Sequence, residues 1–267
     1  MHEILEQLPR VAHVLDLGCR EGSFPDGAYD VLAIRVDLTL PKTSTGLFVQ
    51  ADAIQLPFRP QTFDAVILNH SVEHFVNLKP ALQEIGRVTK RDGAACVTVP
   101  DATTFTDRLY RKVFRSRGGH VNLFDSAKDL EKMLAWYLGL SHIATRTLYS
   151  SLGFLNRKNT RGPVNRKQMR FRGLPEPLLA VAVAGTRIFD RWFGTRTSIY
   201  GWAFYFGNIR DPVDVQPSPN VCIRCGQAYP AGELQAAARV KKGLLLRSYT
   251  CPNCSATNYF FRDSSHS

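Results

Sequence analysis

Four cysteines near the carboxyl end, Cys222, Cys225, Cys251 and Cys254, form two Cys-x-x-Cys pairs with 25 residues between them. Two tight knuckles of this kind bring four thiolates to the corners of a tetrahedron, a closed site that suits zinc and also iron. A module this small needs such a staple to fold. Earlier in the chain, Asn69-His-Ser-Val-Glu-His74 places His70, Glu73 and His74 at i, i+3, i+4 spacing, one face of any helix they enter. These side chains accept or pass protons near neutral pH. His120, in Gly118-Gly-His-Val-Asn122, is a second candidate base. Near the amino end, Val14-Leu-Asp-Leu-Gly-Cys-Arg-Glu-Gly22 has the form of a glycine turn after a strand, where backbone N–H groups approach a ligand closely. Asp37 follows about 20 residues after that turn, at a spacing where a carboxylate accepts hydrogen bonds from both ribose hydroxyls.

Alternating strand and helix patterns over residues 1–210 predict an α/β domain with a mostly parallel sheet covered by helices. Seven strands are expected, at 11–16, 31–37, 46–51, 63–69, 94–99, 141–149 and 200–207. Helices are clearest at 78–90 and 127–138; Asp92-Gly93 supplies a turn before the fifth strand, and Asp125 and Ser126 supply caps for the second helix. The candidate residues fall where strands end: Asp16 and Gly18 after the first, Asp37 on the second, Asp52 after the third, Asn69 on the fourth, and Pro100-Asp101 after the fifth. An insertion over 151–199 is long for a plain connection and reads as a lid or docking element, basic in its first half and apolar from Leu174 to Phe193. A proline-rich linker at 211–219 separates it from a small module at 220–262.

The 267-residue chain carries a formal charge of +11, and seven Lys or Arg with no acid lie between Arg157 and Arg172. That stretch attracts a phosphate-bearing partner or an anionic membrane surface. The amino terminus lacks the pattern of a secretory signal, so a cytoplasmic, reducing setting is expected and disulfides are disfavoured. The longest apolar run, Leu178 to Gly185, is far shorter than a membrane span, and Arg187, Asp190 and Arg191 follow it. Cys19 and Cys96 read as small buried residues.

Taken together, the glycine turn, Asp37, Ala51-Asp-Ala-Ile-Gln-Leu-Pro-Phe58 and Phe63-Asp-Ala-Val-Ile-Leu-Asn-His-Ser-Val-Glu-His74 resemble class I methyltransferases that use S-adenosylmethionine, especially those with small-molecule substrates. The resemblance covers roughly residues 10–150, continues through 200–207, and implies a Rossmann-like sheet with helices on both faces. It implies that Asp16, Gly18 and Gly22 shape the methionine pocket, that Asp37 holds the ribose and Asp52 the adenine amino group, and that Asn69 lies beneath the cofactor. Two departures stand out. Arg20 replaces the usual middle glycine, and only residues 23–30 are left for the following helix, which is cut to about one turn. His70, Glu73 and His74 overlay the positions where ubiquinone-type O-methyltransferases hold a divalent ion, with His70 replacing a glutamate. A Gly-His segment like that of His120 is also common near the active site in this subgroup. The carboxyl-terminal cysteines resemble a zinc ribbon, and also rubredoxin, whose knuckles hold iron. The expected function is methyl transfer to a small-molecule or glycan- or lipid-linked acceptor, with peripheral membrane contact through 151–199. The alternatives are methylation of RNA, gripped by the ribbon and the basic insertion, and a non-catalytic zinc-ribbon interaction protein with a degenerate methyltransferase fold.

Overall fold

Strand β1 (Ala12–Leu17) is buried on both faces, and its nearly continuous apolar run is that of a central strand in a parallel sheet. It pairs in parallel with β2 (Val31–Asp37) on one side and β4 (Phe63–Asn69) on the other. With β3 (Leu47–Gln50), β5 (Thr89–Pro100), β6 (His142–Tyr149) and β7 (Ile199–Gly207) these form a seven-stranded sheet of order β3-β2-β1-β4-β5-β7-β6. Only parallel pairings join β1 to β5, whereas β7 runs antiparallel to β5. The order reverses between β1 and β4, so a crevice is expected at the carboxyl ends of these two strands. This computed structural model describes residues 1–42, 46–113, 120–159, 173–210, 218–243 and 246–262.

Period-two alternation sorts the sheet's side chains between its faces. Leu15, Leu17, Val66, Leu68, Val97 and Phe204 point to one face, where they form a core with Leu82, Ile85 and Val88 of helix α2 (Leu78–Val88) and Leu130 and Leu134 of α4 (Ala127–Leu138). On the other face lies the short α1 (His2–Leu5), where Glu3 accepts a hydrogen bond from Tyr205 and pairs with Arg146. The turn expected at Asp92-Gly93 is absent. Helix α2 stops at Val88 and β5 begins at once, with a register shift against β4 between Phe63 and Ala65. A Cβ on Gly93 would lie 2.9 Å from Lys90 O and 3.0 Å from Asp64 O, so the strand passes through a bulge instead of reversing.

Contacts divide the chain into two compact units. The first comprises Met1–Thr103, Phe114–Arg146 and Gly201–Asp214; the second comprises Thr104–Val113, Thr147–Tyr200 and Val215–Ser267. The division differs from the sequence boundaries at 210 and 220, because the 151–199 insertion associates with the carboxyl-terminal module. Within this second unit, α5 (Glu176–Phe193) buries Leu179, Ala180 and Val183 with Leu152, Leu155 and Ile223. Helix α3 (Phe105–Val113) adds Leu109 and Val113 to the edge of that cluster. The module itself contains a two-stranded sheet, β8 (Asn220–Val221) with β9 (Ala228–Tyr229), helix α6 (Ala231–Ala236), and a three-stranded sheet of β10 (Val240–Lys241), β11 (Ser248–Thr250) and β12 (Thr257–Tyr259). Most of the basic stretch (160–172), most of the linker (211–217), and Gly118 and Gly119 lie outside the described residues.

Candidate functional site

The turn after β1 is held from below. Asp16 is fully buried; its Oδ1 accepts from the Ser23 hydroxyl at 2.6 Å and its Oδ2 from the Ser23 N–H at 2.8 Å. Burial raises the Asp16 pKa, and the Ser23 hydrogen bonds oppose that shift only in part. Arg35 on β2 is also buried, with Nε 3.7 Å from Asp16 Oδ2. Its guanidinium pairs with Asp26, donates to Phe24 O at 2.7 Å, and lies 5.5 and 5.6 Å from the ring centres of Phe24 and Phe48. The one-turn helix expected over 23–30 does not form: the segment consists of turns and bends, with Arg35 packed beneath it. Gly22 has φ +111°, and a Cβ there would sit 2.6 Å from Arg35 Nε, so the position excludes every side chain. Gly18 is similarly confined, at φ +69° with Ser71 Cβ 2.5 Å from where its own Cβ would be.

Arg20 adopts φ +52°, the left-handed region that a glycine would enter without strain, while its side chain is exposed. Its N–H donates to Asp37 Oδ2 at 2.9 Å, joining the turn to the end of β2. Asp37 Oδ1 accepts from the Thr39 N–H at 3.1 Å, and the Asp37 carbonyl accepts from the Ala51 N–H at 3.1 Å, which brings the start of the Asp52 loop alongside. Asp52 is exposed, its Oδ1 accepting from the Ile54 N–H at 3.2 Å. Asn69 Oδ1 accepts from Thr98 Oγ1 at 2.8 Å, and the same hydroxyl accepts from the His70 N–H at 3.1 Å. Asp101, beyond β5, is buried and accepts from the Thr103 N–H and hydroxyl.

The next turn carries the imidazoles. A 3-10 turn spans only Val72–His74, and His70 precedes it at φ +52°, so the helical face expected for His70, Glu73 and His74 is replaced by a tighter bend. His70 Nδ1 is 3.7 Å from Glu73 Oε1. Burial, reinforced by His120 and His74, lowers the His70 pKa to about 4. The Glu73 carbonyl accepts from the Val121 and Asn122 N–H groups at 2.8 and 3.0 Å, which sets His120 against His74 at a ring separation of 5.2 Å. One ligand atom each from Glu73, His74 and His120 lie within 4.8 Å of one another.

In the second unit the four paired cysteines converge, their sulfurs all within 4.8 Å of one another. Cys222 Sγ is 3.5 Å from Cys254 Sγ, and Cys225 Sγ is 3.6 Å from Cys251 Sγ. A tetrahedral ion with metal–sulfur bonds of about 2.3 Å requires sulfurs about 3.8 Å apart, so the donor set fits one such ion. The knuckles match in backbone: Gly226 and Ser255, each following the second cysteine of its pair, have φ +72° and +60°, and their N–H groups reach back to the Cys222 and Cys251 carbonyls. Arg224 ties the knuckles to α5, with Nε and Nη2 donating to Glu176 at 2.5 and 2.6 Å and Nη1 donating to Cys254 O at 2.6 Å.

Arg35, Thr98 and the Glu176–Arg224 pair escaped the sequence reading. Only Arg35 left a signal there, as the lone cation within the apolar strand Val31-Leu-Ala-Ile-Arg-Val-Asp37.

Comparison with known proteins adds a match of residues 15–97 to a family described as a methyltransferase domain. The chain is 33% identical over 109 residues to a demethylmenaquinone methyltransferase of Roseiflexus castenholzii, covering 34% of this chain and 44% of that protein. To the enzyme of the same name from Renibacterium salmoninarum it is 27% identical over 182 residues, covering 58% of this chain and 77% of that one. The chain thus spans less than half the length of the first curated relatives it matches. A SAM-dependent methyltransferase structure from Archaeoglobus fulgidus superposes with a TM-score of 0.50 at 16% identity, over 77% of this chain and 88% of that one, a likeness of fold.

Proposed function

We propose, from the methyltransferase domain matched over residues 15–97, that this chain transfers a methyl group from S-adenosylmethionine to a small-molecule or glycan- or lipid-linked acceptor. One observation carries the reading: Gly18, Asp37, Asp52 and Asn69 stand at the carboxyl ends of four neighbouring parallel strands, around the point where the strand order reverses. The donor set suits the cofactor. Gly18 and Gly22 keep the turn free of side chains, Asp37 and Asp52 offer carboxylate oxygens to hydroxyl and amino donors, and Asn69 offers an amide. When bound, the cofactor supplies a methyl group on a sulfonium.

The chain's part is then mainly to position the acceptor, with a base needed only where the nucleophile is weak. His70, whose pKa burial lowers to about 4, is unprotonated at physiological pH, at a cost in basicity. His74 in the same turn, and His120 on the loop packed against it, are the further candidates. The four cysteines are assigned to one structural Zn²⁺, with iron as the alternative their sulfur ligands allow.

Titration calorimetry with S-adenosylmethionine and its demethylated product tests the cofactor assignment. Binding should be seen with both, and Asp37→Ala should weaken it at least about tenfold, the loss of one or more hydrogen bonds to a charged group. Absence of binding to either would overturn the proposal. Transfer of labelled methyl into cell extract, with and without nuclease, separates acceptors: incorporation that survives nuclease supports a small or lipid-linked acceptor, and incorporation lost with nuclease supports RNA.

A further inference from the structure

Helix α5 has two apolar faces, and among the described residues only one is packed. Leu179, Ala180 and Val183 are buried within the second unit. Leu178, Val181, Phe189, Trp192 and Phe193 are exposed, from 45% at Phe189 to 77% at Trp192. At about 100° of rotation per residue, these five fall with exposed Ala182 and Gly185 in one sector of about 120°. The helix's charged residues all lie outside that sector and are engaged elsewhere or point away. Glu176 holds Arg224, Asp190 accepts from Thr195, Thr197 and Ser198, and Arg187 is buried beside Phe261. Arg191 borders the opposite side. A helix apolar all round is ordinarily buried all round, and an exposed stripe of this size marks a contact surface.

The charge that neighbours α5 in sequence identifies the partner. Residues 157–172, just before α5 in sequence, carry seven Lys or Arg and no acid, and exposed Arg191 and Arg196 lie at its far end. Aromatic residues on one face with cations at the flanks are the composition of a helix lying in a membrane interface, where rings enter the headgroup boundary and cations meet anionic lipid. No helix among the described residues is long and apolar enough to cross a membrane. We infer that the outer face of α5, centred on Phe189 and Trp192, docks this chain onto an anionic lipid bilayer. The inference stands whether or not the chain transfers methyl groups.

The test is co-sedimentation of the full chain with vesicles of phosphatidylcholine alone and of an equal mixture with phosphatidylglycerol. Binding should favour the mixed vesicles and weaken as salt is raised. Phe189→Ser with Trp192→Ser should reduce it at least about tenfold, the loss of two buried aromatic side chains. As both residues are exposed, the circular dichroism melt should match that of the parent. In a Trp136→Phe background, the remaining exposed tryptophan is Trp192, and its emission should shift to the blue with mixed vesicles and be quenched by brominated acyl chains. Three results would overturn the inference: no binding to mixed vesicles, unchanged binding of the double variant, or a lipid-free dimer that the double variant converts to monomer, which would make this face an interface between copies.

Discussion

Neutral imidazole is the form that accepts a proton, and burial together with His120 and His74 keeps His70 neutral down to about pH 4. With an ordinary value of 6.5 in the unfolded chain, the unfolded state binds the extra proton between those limits, so His70's contribution to stability is complete above about 6.5 and declines as pH falls towards 4. Replacing His70 with Gln should flatten the denaturation midpoint across that window, measured by urea unfolding at a series of pH values. Glu176 behaves comparably in a lower range. The Arg224 guanidinium beside it holds its pKa at about 2 against an ordinary 4.5, so the pair's contribution is complete above 4.5 and fades below it. Arg224→Ala should cost about 1–3 kcal/mol in chemical unfolding at neutral pH, the worth of a charge-assisted pair, and less below pH 4.5. The aspartates at the strand ends were legible in sequence because their spacing follows the strands that carry them. Arg35 was not, since its partners Asp26 and Phe24 come from a loop whose path only the folded chain defines.

At the scale of elements, all seven strands were readable from apolar runs, and their observed ends lie close to those expected except at β5, which starts at Thr89 and not at Ala94. The misread segments are those where a tertiary contact overrides local preference. Gly93 reads as a turn residue, but backbone carbonyls on both sides hold it in a bulge of β5. The stretch from Ser23 to Asp30 reads as a short helix, yet Arg35 draws Phe24 O and Asp26 towards β2 and leaves no helical turn. The connection that would normally present a helix start to a ligand is therefore braced by a buried cation. Arg35→Met should cost about 3–5 kcal/mol, because Asp16 stays buried without its ion-pair partner. Thermal melting would register that loss, and a change below about 1 kcal/mol would show that the guanidinium does not brace the loop.

Across the whole molecule, the sequence reads the cysteine module and the insertion as separate stretches and gives no sign that they share one compact unit. The contacts that join them, Arg224 to Glu176 and Ile223 to Leu179, link residues far apart in the chain, and no local pattern announces them. Metal removal should therefore be felt beyond the knuckles. Cys222→Ser, or a strong chelator, should abolish the one metal ion per chain that the proposed site would hold, and should also expose Leu179 and Val183, detectable as faster amide exchange along α5 while β1 and β4 stay protected. The same arrangement sets an order of assembly. The second unit draws on three stretches of sequence, the last of which includes Cys251 and Cys254, so during synthesis α5 leaves the ribosome well before the residues that complete its seat. Until they arrive, its inner face lacks Tyr259 and its outer face is open, and a nascent chain halted before Cys251 presents a sticky helix to chaperones.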